Sequence, residues 1–287
     1  MGISEHPEYS TDSLVEFRTS QIKPFKSLFD SIKNNLPDTS IFFTPEEMKI
    51  LQLDGAGNFL VNVHLDGDNF DHFFVNSSSS KIIEVNLSTL HLNQAFKSVT
   101  NDDNLFRFIY EKDSDYIKVI FSSEKKAECR TYEIPIQNPD EETKIGEIEG
   151  TQNFPYSLTM PCADLQRICR DFKTQGCEKI TITHDGESLK FSFNGNVKAT
   201  TERTAKGTGK GGNGIEFEKC PEDTERPYSD VFKFSTLNEF SKCQSGGENR
   251  IVKMLLSQND PIVLYFEIGD LGEMAVAIAP YISPETQ

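Results

Sequence analysis

Short runs in which apolar and polar residues alternate make up most of the chain, and this is the pattern of half-buried β-strands. Turn residues such as Asp54-Gly55 and Asp66-Gly67 separate the runs. The pattern predicts strands at 14–18, 40–43, 48–53, 59–64, 70–75, 81–86, 105–110, 116–121 and 129–136, and then at 156–160, 179–183, 189–193, 197–202, 215–218, 231–234, 251–257, 262–267 and 273–278.

Four segments instead repeat their apolar residues every three or four positions, which predicts amphipathic helices. The clearest covers 160–173, where Pro161 fits the first turn. Its apolar face consists of Leu165, Ile168, Cys169 and Phe172. The other three helices begin at Ser20, Ser88 and Ser235, and we expect Ser20 and Ser235 to act as N-caps.

The two halves of the chain repeat one order of elements: strand, helix, strands, helix, strands. Residues 87–90 (LSTL) and 234–237 (FSTL) even open the second helix of each half alike. Between the halves lies an acidic segment with Pro, Gly and the isoleucines Ile145 and Ile148, which is typical of a connector. We therefore predict an internal duplication and an α+β fold, in which each unit packs two helices on one face of an antiparallel sheet.

The predicted organisation has two domains with a connector and two tails. Its parts are a disordered tail (1–12), domain 1 (13–136), the connector (137–155), domain 2 (156–282) with a flexible insertion (205–214), and a C-terminal tail (283–287). Two units of this size are within the usual range of domain lengths for a chain of 287 residues.

Charge adds a functional argument to this pattern. The chain carries 29 Lys and Arg residues against 45 Asp and Glu residues, a formal net charge of −16. Each predicted helix nevertheless has at least one cation opposite its apolar face. A single such helix is most simply a solvated amphipathic helix, but the repetition in all four favours one concave anionic partner, and a nucleic-acid backbone fits best. These cations are Lys23, Lys97, Arg167, Arg170 and Lys242.

Composition excludes several other classes. No run approaches the roughly 20 apolar residues of a membrane span, so we expect no membrane partner. The polar, acidic N-terminus resembles neither a signal peptide nor a transit peptide. Six cysteines without a tight framework are typical of reduced thiols in an intracellular protein. A pI near 4.8 argues against a protein that coats nucleic acid generally, but not against one whose basic groups share one surface.

Three local motifs imitate ligand sites without meeting their requirements. Residues 207–212 (GTGKGG) lack the Ser or Thr after Lys210 and the following helix that a P-loop needs. Residues 66–71 (DGDNFD) lack the Gly at position six and the closing Glu of a calcium loop. The thiols and imidazole of Cys162, Cys169, Cys177 and His184 have spacings that match no common zinc site. We therefore predict no catalytic residues, no metal and no cofactor; an ATP-dependent enzyme that uses Lys210 is the alternative of a different class.

Two stretches resemble one known family. MPCADLQRICRDF (160–172) is similar to the helix that opens the second domain of proliferating cell nuclear antigen (PCNA), the eukaryotic sliding clamp. PIVLYFEIGDLGEMAVAIAP (261–280) is similar, without gaps, to that family's C-terminal strands, with Ile268, Asp270, Gly272, Ala279 and Pro280 in register. Weaker matches extend the resemblance to about residues 14–282.

The resemblance implies a ring, usually a homotrimer, with an outer layer of sheet and twelve helices around a hole that holds double-stranded DNA. The function implied is that of a DNA sliding clamp, a polymerase processivity factor without chemistry of its own. Contacts to phosphate alone carry no sequence information, as a sliding ring requires. The DNA-binding residues implied are Lys23, Lys26, Lys97, Arg167, Arg170, Lys173 and Lys242.

The resemblance also implies three protein partners: neighbouring subunits, client proteins such as DNA polymerases, and a clamp loader. Neighbouring subunits would pair two edge strands, one with Cys129, Arg130, Thr131 and Tyr132 and the other with Lys198, Ala199, Thr200 and Thr201. Client peptides would dock in an apolar pocket beneath the connector. The pocket positions are Leu53, Leu60, Ile145, Ile148, Pro261, Ala277, Ala279 and Pro280, and for each the alternative is packing of the connector against the body.

Departures from the family pattern predict differences in this chain. Ala277 replaces a usual Tyr and Asn58 an aliphatic residue, which predicts a wider pocket and an altered client peptide. His184 stands where many eukaryotic members carry the lysine that receives ubiquitin. This divergence suggests a viral or protist clamp, acting in a nucleus or a viral replication compartment. Alternatives within the same fold are a subunit of a heterotrimeric checkpoint clamp and a clamp-like processivity factor that never closes a ring.

Overall fold

The computed structural model describes residues 12–76, 82–137, 154–204, 214–219, 227–243 and 250–282. The elements of the first half are β1 (Ser13–Thr19), α1 (Ile22–Ile32), β2 (Asp38–Phe43), β3 (Glu47–Leu53), β4 (Phe59–Asp66), β5 (His72–Val75), β6 (Ile83–Ser88), α2 (Thr89–Lys97), β7 (Leu105–Glu111), β8 (Tyr116–Ser123) and β9 (Glu128–Gln137). Those of the second half are β10 (Tyr156–Pro161), α3 (Cys162–Thr174), β11 (Lys179–His184), β12 (Ser188–Asn194), β13 (Lys198–Thr204), β14 (Glu216–Lys219), β15 (Tyr228–Lys233), α4 (Phe234–Phe240), β16 (Ile251–Leu256), β17 (Ile262–Ile268) and β18 (Gly272–Ile278).

The two halves order their strands identically, which confirms the internal duplication. In the first half the orders are β4-β3-β2-β6 and β9-β8-β7-β1-β5. In the second half they are β13-β12-β11-β15 and β18-β17-β16-β10-β14. Each half therefore divides its strands into a part of four and a part of five, where the sequence predicted one sheet per half.

One seam joins the halves into a continuous sheet of 14 strands. Strand β18 pairs antiparallel with β4 over seven positions, from Gly272 opposite Leu65 to Ile278 opposite Phe59. The two parts of the first half also meet where β6 pairs with the end of β9. The strands β13-β12-β11-β15 form a separate four-stranded sheet.

The four helices form one layer, in the order α2-α1-α4-α3, because α1 contacts both α2 and α4, and α4 contacts α3. Their apolar faces are buried in a single core, as the periodicity predicted. In α3 the buried residues are Cys162, Leu165, Ile168, Cys169 and Phe172. In the first half the core is rich in phenylalanine, and the rings of Phe17 and Phe108 stack with centroids 4.9 Å apart. The opposite faces of the helices are thereby left for solvent or a ligand.

The start of α1 differs from the prediction. Its N-cap is Gln21 rather than Ser20, and no side chain caps the helix. The backbone N–H of Ser20 instead donates to the carboxylate of Asp71. In α2 the N-cap is Ser88, although its hydroxyl donates to the carbonyl oxygen of Pro37 and not to the helix.

The starts of α3 and α4 are also displaced by one or two residues. Pro161 ends β10 and is the N-cap of α3, so the helix itself begins at Cys162. Strand β15 ends at Lys233, which is the N-cap of α4, and Ser235 lies inside the helix. Each of these helices follows its strand without a loop. The last strand residue is therefore also the N-cap, and Ser235 cannot take that position.

Candidate nucleic-acid interface

The solvent side of the helix layer carries most of the predicted DNA-binding residues. Lys23 and Lys97 are exposed on α1 and α2, and Arg170 is exposed on α3. Arg167 and Lys173 are exposed on the same helix, whereas Lys26 is half-buried. Because the apolar faces of all four helices point into one core, these cations share the outer side of one layer.

The layer is basic within an acidic chain. From the first residue of each helix to the second residue beyond its end, there are eight Lys or Arg residues and four Asp or Glu residues. This region has a formal charge of +4, whereas the whole chain has −16, so the remainder carries −20. The separation of charge favours an anionic ligand on this layer and disfavours one elsewhere.

Some of these cations are already paired. Arg167 lies 3.8 Å from Asp164 and 3.5 Å from Asp171, on its own helix. Lys242 lies two residues past the end of α4, is half-buried, and pairs with Glu239 at 2.6 Å. Burial alone would raise the pKa of Glu239, but hydrogen bonds from Lys242 and Asn34 hold that pKa below its ordinary value.

Other cations have their charge available. Lys23, Lys97, Arg170 and Lys173 make no ion pair with any residue that the structure describes. Exposed, unpaired cations can neutralise phosphate without first breaking an internal contact. Of the predicted DNA-binding residues, these four therefore have exposed charges that no described carboxylate pairs with, whereas Arg167 and Lys242 already have ion-pair partners.

The predicted subunit-interface residues lie on two strand edges. Cys129, Arg130, Thr131 and Tyr132 belong to β9, which pairs with β8 along its length and with β6 only at its last two residues. Lys198, Ala199, Thr200 and Thr201 belong to β13, which is an outer strand of the four-stranded sheet. In the described part of the chain, both strands thus leave one edge without backbone partners. The guanidinium of Arg130 is less available, because it binds Asp103 and the carbonyl oxygen of Ser98.

The structure also brings together part of the predicted client pocket. Leu53 on β3 is paired with Leu60 on β4, and Leu60 is paired with Ala277 on β18, so the three side chains form one row across the seam. Leu53 is 41% exposed. Ala279 and Pro280 follow directly after β18 and are half-buried, while Pro261 is exposed just before β17. Ile145 and Ile148 lie outside the described residues.

The second half also contains a cavity that the sequence pattern did not predict. It has a volume of about 560 Å³ and lies on the sheet face opposite the helices. Its apolar lining includes Phe154, Leu255 and Tyr265. The sequence did contain a signal for this cavity. Leu255 and Tyr265 occupy strand positions that face away from the core, where polar residues are usual.

The residues of the apparent zinc and calcium sites have structural roles in the folded chain. Burial raises the pKa of the Cys162, Cys169 and Cys177 thiols to about 11, which keeps them protonated and poor as metal ligands. His184 is completely buried, and its Nδ1 lies 2.8 Å from the carbonyl oxygen of Ser188. This position is therefore inaccessible to a modifying enzyme. In the turn at 66–71, the carboxylate of Asp66 accepts a backbone N–H from Asp68 at 2.9 Å.

Metal-binding clusters and membrane-spanning helices are both absent from the described ranges. No group of three His, Cys, Asp or Glu side chains there is placed to hold a metal ion. None of the helices there has the length and apolar character needed to cross a membrane. The glycine-rich segment 207–212 lies outside those ranges.

A duplicated chain with one basic layer of four helices, in which the equivalent strands β4 and β18 are paired while β13 and β9 each leave an edge open in the described residues, is a protein of the sliding-clamp class. Family models agree with this assignment. The model for proliferating cell nuclear antigen, N-terminal domain, matches residues 14–143, and the model for its C-terminal domain matches residues 148–281. The chain belongs to the PCNA family, and it is a DNA sliding clamp that acts in DNA replication as a processivity factor.

Individual relatives come from viral and eukaryotic sources. The chain is 28% identical over 272 residues to the "Probable DNA polymerase sliding clamp 1" of Paramecium bursaria Chlorella virus 1, covering 94% of this chain and 98% of that one. It is 28% identical over 270 residues to the PCNA of Dictyostelium discoideum, covering 94% of this chain and all of that one. The crystal structure of the Entamoeba histolytica PCNA has the same fold, with a TM-score of 0.77 at 19% identity over 94% of this chain and 100% of that chain. Proteins of this family are non-catalytic scaffolds, and DNA and a DNA polymerase are their general partners.

Proposed function

We propose that three copies of this chain close into a ring around double-stranded DNA. The ring tethers a DNA polymerase and other client proteins to the duplex, is opened by a clamp loader, and performs no reaction of its own. In this proposal residues 13–136 and 156–282 are the two clamp domains and 137–155 connects them. The compartment is a nucleus for a cellular source and a viral replication compartment for a viral one.

The single observation that carries the proposal is the seam between the halves. Strand β9 has the same place in the first half as β18 in the second, and β13 has the same place as β4. Inside the chain β18 and β4 are paired, whereas β9 and β13 have open edges. Three copies arranged head to tail would close the open edges of β9 and β13 with a repeat of that seam, which gives six similar domains in a closed ring.

The internal seam also supplies a register for contacts between subunits. When the halves are aligned on their buried strand positions, Arg130 takes the place of Met274 and Thr201 takes the place of Val63, which are paired inside the chain. From Glu128 to Glu133, the resulting pairs between one subunit and the next are Glu128 with Arg203, Cys129 with Glu202, Arg130 with Thr201, Thr131 with Thr200, Tyr132 with Ala199, and Glu133 with Lys198. Two of these six pairs unite opposite charges, and none opposes like charges. Charge complementarity of this kind favours one register over its neighbours.

The helix layer would line the hole of such a ring. Its cations contact phosphates, which are the same at every base pair, so the ring is free to slide. The acidic remainder of the chain repels DNA from the other surfaces. Leu53, Leu60 and Ala277 lie on the sheet face opposite the helices, and Ala279 and Pro280 follow the end of β18 beside them, so a client peptide can dock there without meeting the DNA.

Primer extension on a primed circular template tests this function, with a polymerase and a clamp loader from the same source. Addition of the clamp should lengthen the products made in one binding event. The double variant Arg170→Glu, Lys173→Glu should lose this gain while its mass in solution stays that of the wild type. Products that are unchanged by the clamp, or a double variant as active as the wild type, would count against the proposal.

A further inference from the structure

Inside the chain, the seam between β18 and β4 brings α1 of the first half against α4 of the second half. Asn34, two residues past the end of α1, donates from its side-chain nitrogen to the carboxylate of Glu239 on α4, at 3.0 Å. Lys242 pairs with the same carboxylate at 2.6 Å. Burial alone would raise the pKa of Asp30, but Lys33 and Lys242 hold that pKa below its ordinary value. Each carboxylate of this internal junction therefore faces a cation.

In the second half, α3 carries positive charge at the positions that are balanced in α1. The two helices bury apolar residues at the same spacing, which makes Arg170 equivalent to Asp30 and Lys173 equivalent to Lys33. A guanidinium therefore replaces the carboxylate of the internal junction. The neighbouring carboxylate on α3, Asp171, is already 3.5 Å from an arginine of its own helix.

In the first half, α2 keeps the cation of α4 without its carboxylate. Each of these two helices begins directly after the strand residue that is its N-cap, so their positions can be counted from the cap. Lys97 is thereby equivalent to Lys242, and Gln94 is equivalent to Glu239. A buried asparagine falls at the matching position of both helices, which supports this alignment.

A ring that repeats the internal seam would place α3 of one subunit against α2 of the next. This follows because the pairing of β18 with β4 brings α4 against α1, and β9 and β13 are the equivalents of β18 and β4. In the internal junction, residues 27–34 and 239–243 contain two cations and two carboxylates, a net charge of 0. In the junction between subunits, the equivalent residues 167–174 and 94–98 contain four cations and one carboxylate, a net charge of +3.

The equivalent positions show that a closed seam leaves these side chains accessible to a ligand. In the internal junction, the side chains of Asp30 and Lys242 are 49% and 36% exposed, although α1 and α4 are in contact. Arg170 and Lys97 are themselves exposed, and neither forms an ion pair with a residue that the structure describes. Both cations therefore lie where a polyanion can reach them.

We propose that Arg170 and Lys173 of one subunit and Lys97 of the next form a composite site for DNA phosphates, and that this site couples DNA binding to closure of the ring. Neither subunit contains the whole site. Without DNA, like charges oppose the contact between α3 and α2. Phosphates remove that repulsion, so DNA strengthens the interface that encloses it. The inference rests on the proposed function, because it assumes a ring that repeats the internal seam around DNA.

The ring would then contain two kinds of helix junction in alternation. The three internal junctions are neutral, and the three junctions between subunits are basic. Phosphate contacts are concentrated at the basic junctions, which are also the places where separate chains can part to admit DNA. An empty ring is therefore easier to open than a ring that holds DNA.

Lys97→Glu tests the inference, because it replaces repulsion by attraction across the junction and also removes a phosphate contact. In a light-scattering dilution series of the full chain without DNA, this variant should dissociate at about threefold lower concentration than the wild type at about 0.05 M salt. The difference should shrink at about 0.5 M salt, where the charges are screened. Affinity for a short DNA duplex, measured by anisotropy, should nevertheless fall about tenfold.

Arg170→Glu should give the same two opposite changes from the other side of the junction. The double variant, with both substitutions, brings like charges together again and should lose the gain in ring stability. For the wild type, a duplex at about 100 times its dissociation constant should lower the concentration of half-dissociation about tenfold.

Lys23→Glu is the matched control, since it makes the same charge change in the first turn of α1, about two helical turns before Asp30. It should weaken duplex binding without strengthening the empty ring. An empty ring that is unchanged or weaker in both single junction variants, or equally strengthened in Lys23→Glu, overturns the inference and leaves the ring standing. A duplex that does not stabilise the wild-type ring also overturns it. A wild-type chain that is monomeric at every concentration overturns the proposed ring, and the inference with it.

Discussion

At Gly272 the backbone of β18 comes so close to β4 that there is no room for a side chain. A Cβ atom at this position would collide with the carbonyl oxygen of His64, and φ is +157°, where side chains are rarely found. The residue is therefore a point of close backbone approach in the seam that joins the two halves. Gly269, with φ of +60°, faces Gln21 of the first half in the same region.

We predict that Gly272→Ala lowers the free energy of unfolding by about 1–3 kcal/mol, since the seam must open to admit the methyl group. Gly55→Ala is the matched control. A Cβ atom at Gly55 has no neighbour within 4 Å, so the change should be within about 0.5 kcal/mol of neutral. Urea unfolding curves of the three proteins measure the difference, and equal midpoints for Gly272→Ala and the wild type would contradict the close approach at the seam.

Asp185 makes part of the stability dependent on pH. Partial burial acts to raise its pKa, but backbone N–H bonds from Ser188 and Glu187, at 2.7 and 3.1 Å, together with the Ser188 hydroxyl and Lys190, lower the pKa to about 2. The unfolded value is about 3.9. Because the folded pKa is the lower one, the stabilisation is present above pH 3.9 and is lost as the pH falls towards 2.

Accordingly, Asp185→Ala should reduce the free energy of unfolding at pH 7 by about 1 kcal/mol, and this difference should shrink between pH 4 and pH 2. Denaturant titrations of both proteins across that range provide the comparison. Glu187→Ala serves as the control, because its carboxylate makes no hydrogen bond or ion pair in the described part of the chain. A difference between the two proteins that is constant with pH would show that the carboxylate charge of Asp185 contributes nothing to the free energy of unfolding.

At the scale of elements, the helices explain how an acidic chain binds an anion. Each helix buries an apolar face in the common core, so its cations can only point outward. The solvent side of α3 carries Arg167, Arg170 and Lys173, of which Arg167 is partly neutralised by its neighbours. The apolar residues that hold each helix in the core and the cations available to an anion therefore lie on opposite faces of the same helix.

Arg170→Glu should weaken binding to a short duplex without changing stability, and should reduce the slope of log affinity against log salt by about 0.9 for each phosphate that the variant no longer neutralises. Lys112→Glu makes the same charge change at an exposed lysine outside the helices, in the turn after β7, and should have little effect. Anisotropy titrations at several salt concentrations give both slopes. Equal loss of affinity in the two variants would mean that only total charge matters.

The elements themselves were largely predictable. Every predicted strand overlaps an observed strand, because alternation with turn residues is a local signal. The helix starts at Ser20 and Ser235 were wrong, since the competing partner Asp71 and the direct strand-to-helix turn are not local in sequence. Cross-strand register is not local either. The row through Leu60, Ala277 and Leu255, and the cavity at its end, therefore became visible only in the folded chain.

On the scale of the whole molecule, the seam inside the chain would be the template for the proposed seam between subunits. The duplication gives two equivalent pairs of strand edges, β4 with β18 and β13 with β9. Within a single copy only β4 and β18 are paired. Surface ion pairs contribute only about 0.2–1 kcal/mol each, so Glu133 and Lys198 would select the register rather than hold the ring together. The backbone pairing and burial of the facing side chains would supply the remaining affinity.

A charge exchange tests that register. Glu133→Lys places two lysines opposite each other, and Lys198→Glu places two glutamates opposite each other, so each single variant should shift the assembly towards smaller species. The double variant restores opposite charges and should regain the mass of the wild type. Failure of the double variant to recover, with both single variants impaired, would show that these residues do not face each other.

The solution mass of the wild-type chain, measured by light scattering across a dilution series, tests the ring most directly. One chain has a mass of 32.4 kDa, so a closed homotrimer has a mass of about 97 kDa. We predict a stable species of that mass over a wide range of concentration. A mass near that of one chain at every concentration would contradict the homotrimeric ring, and would favour a heteromeric clamp or a processivity factor that its polymerase holds on DNA.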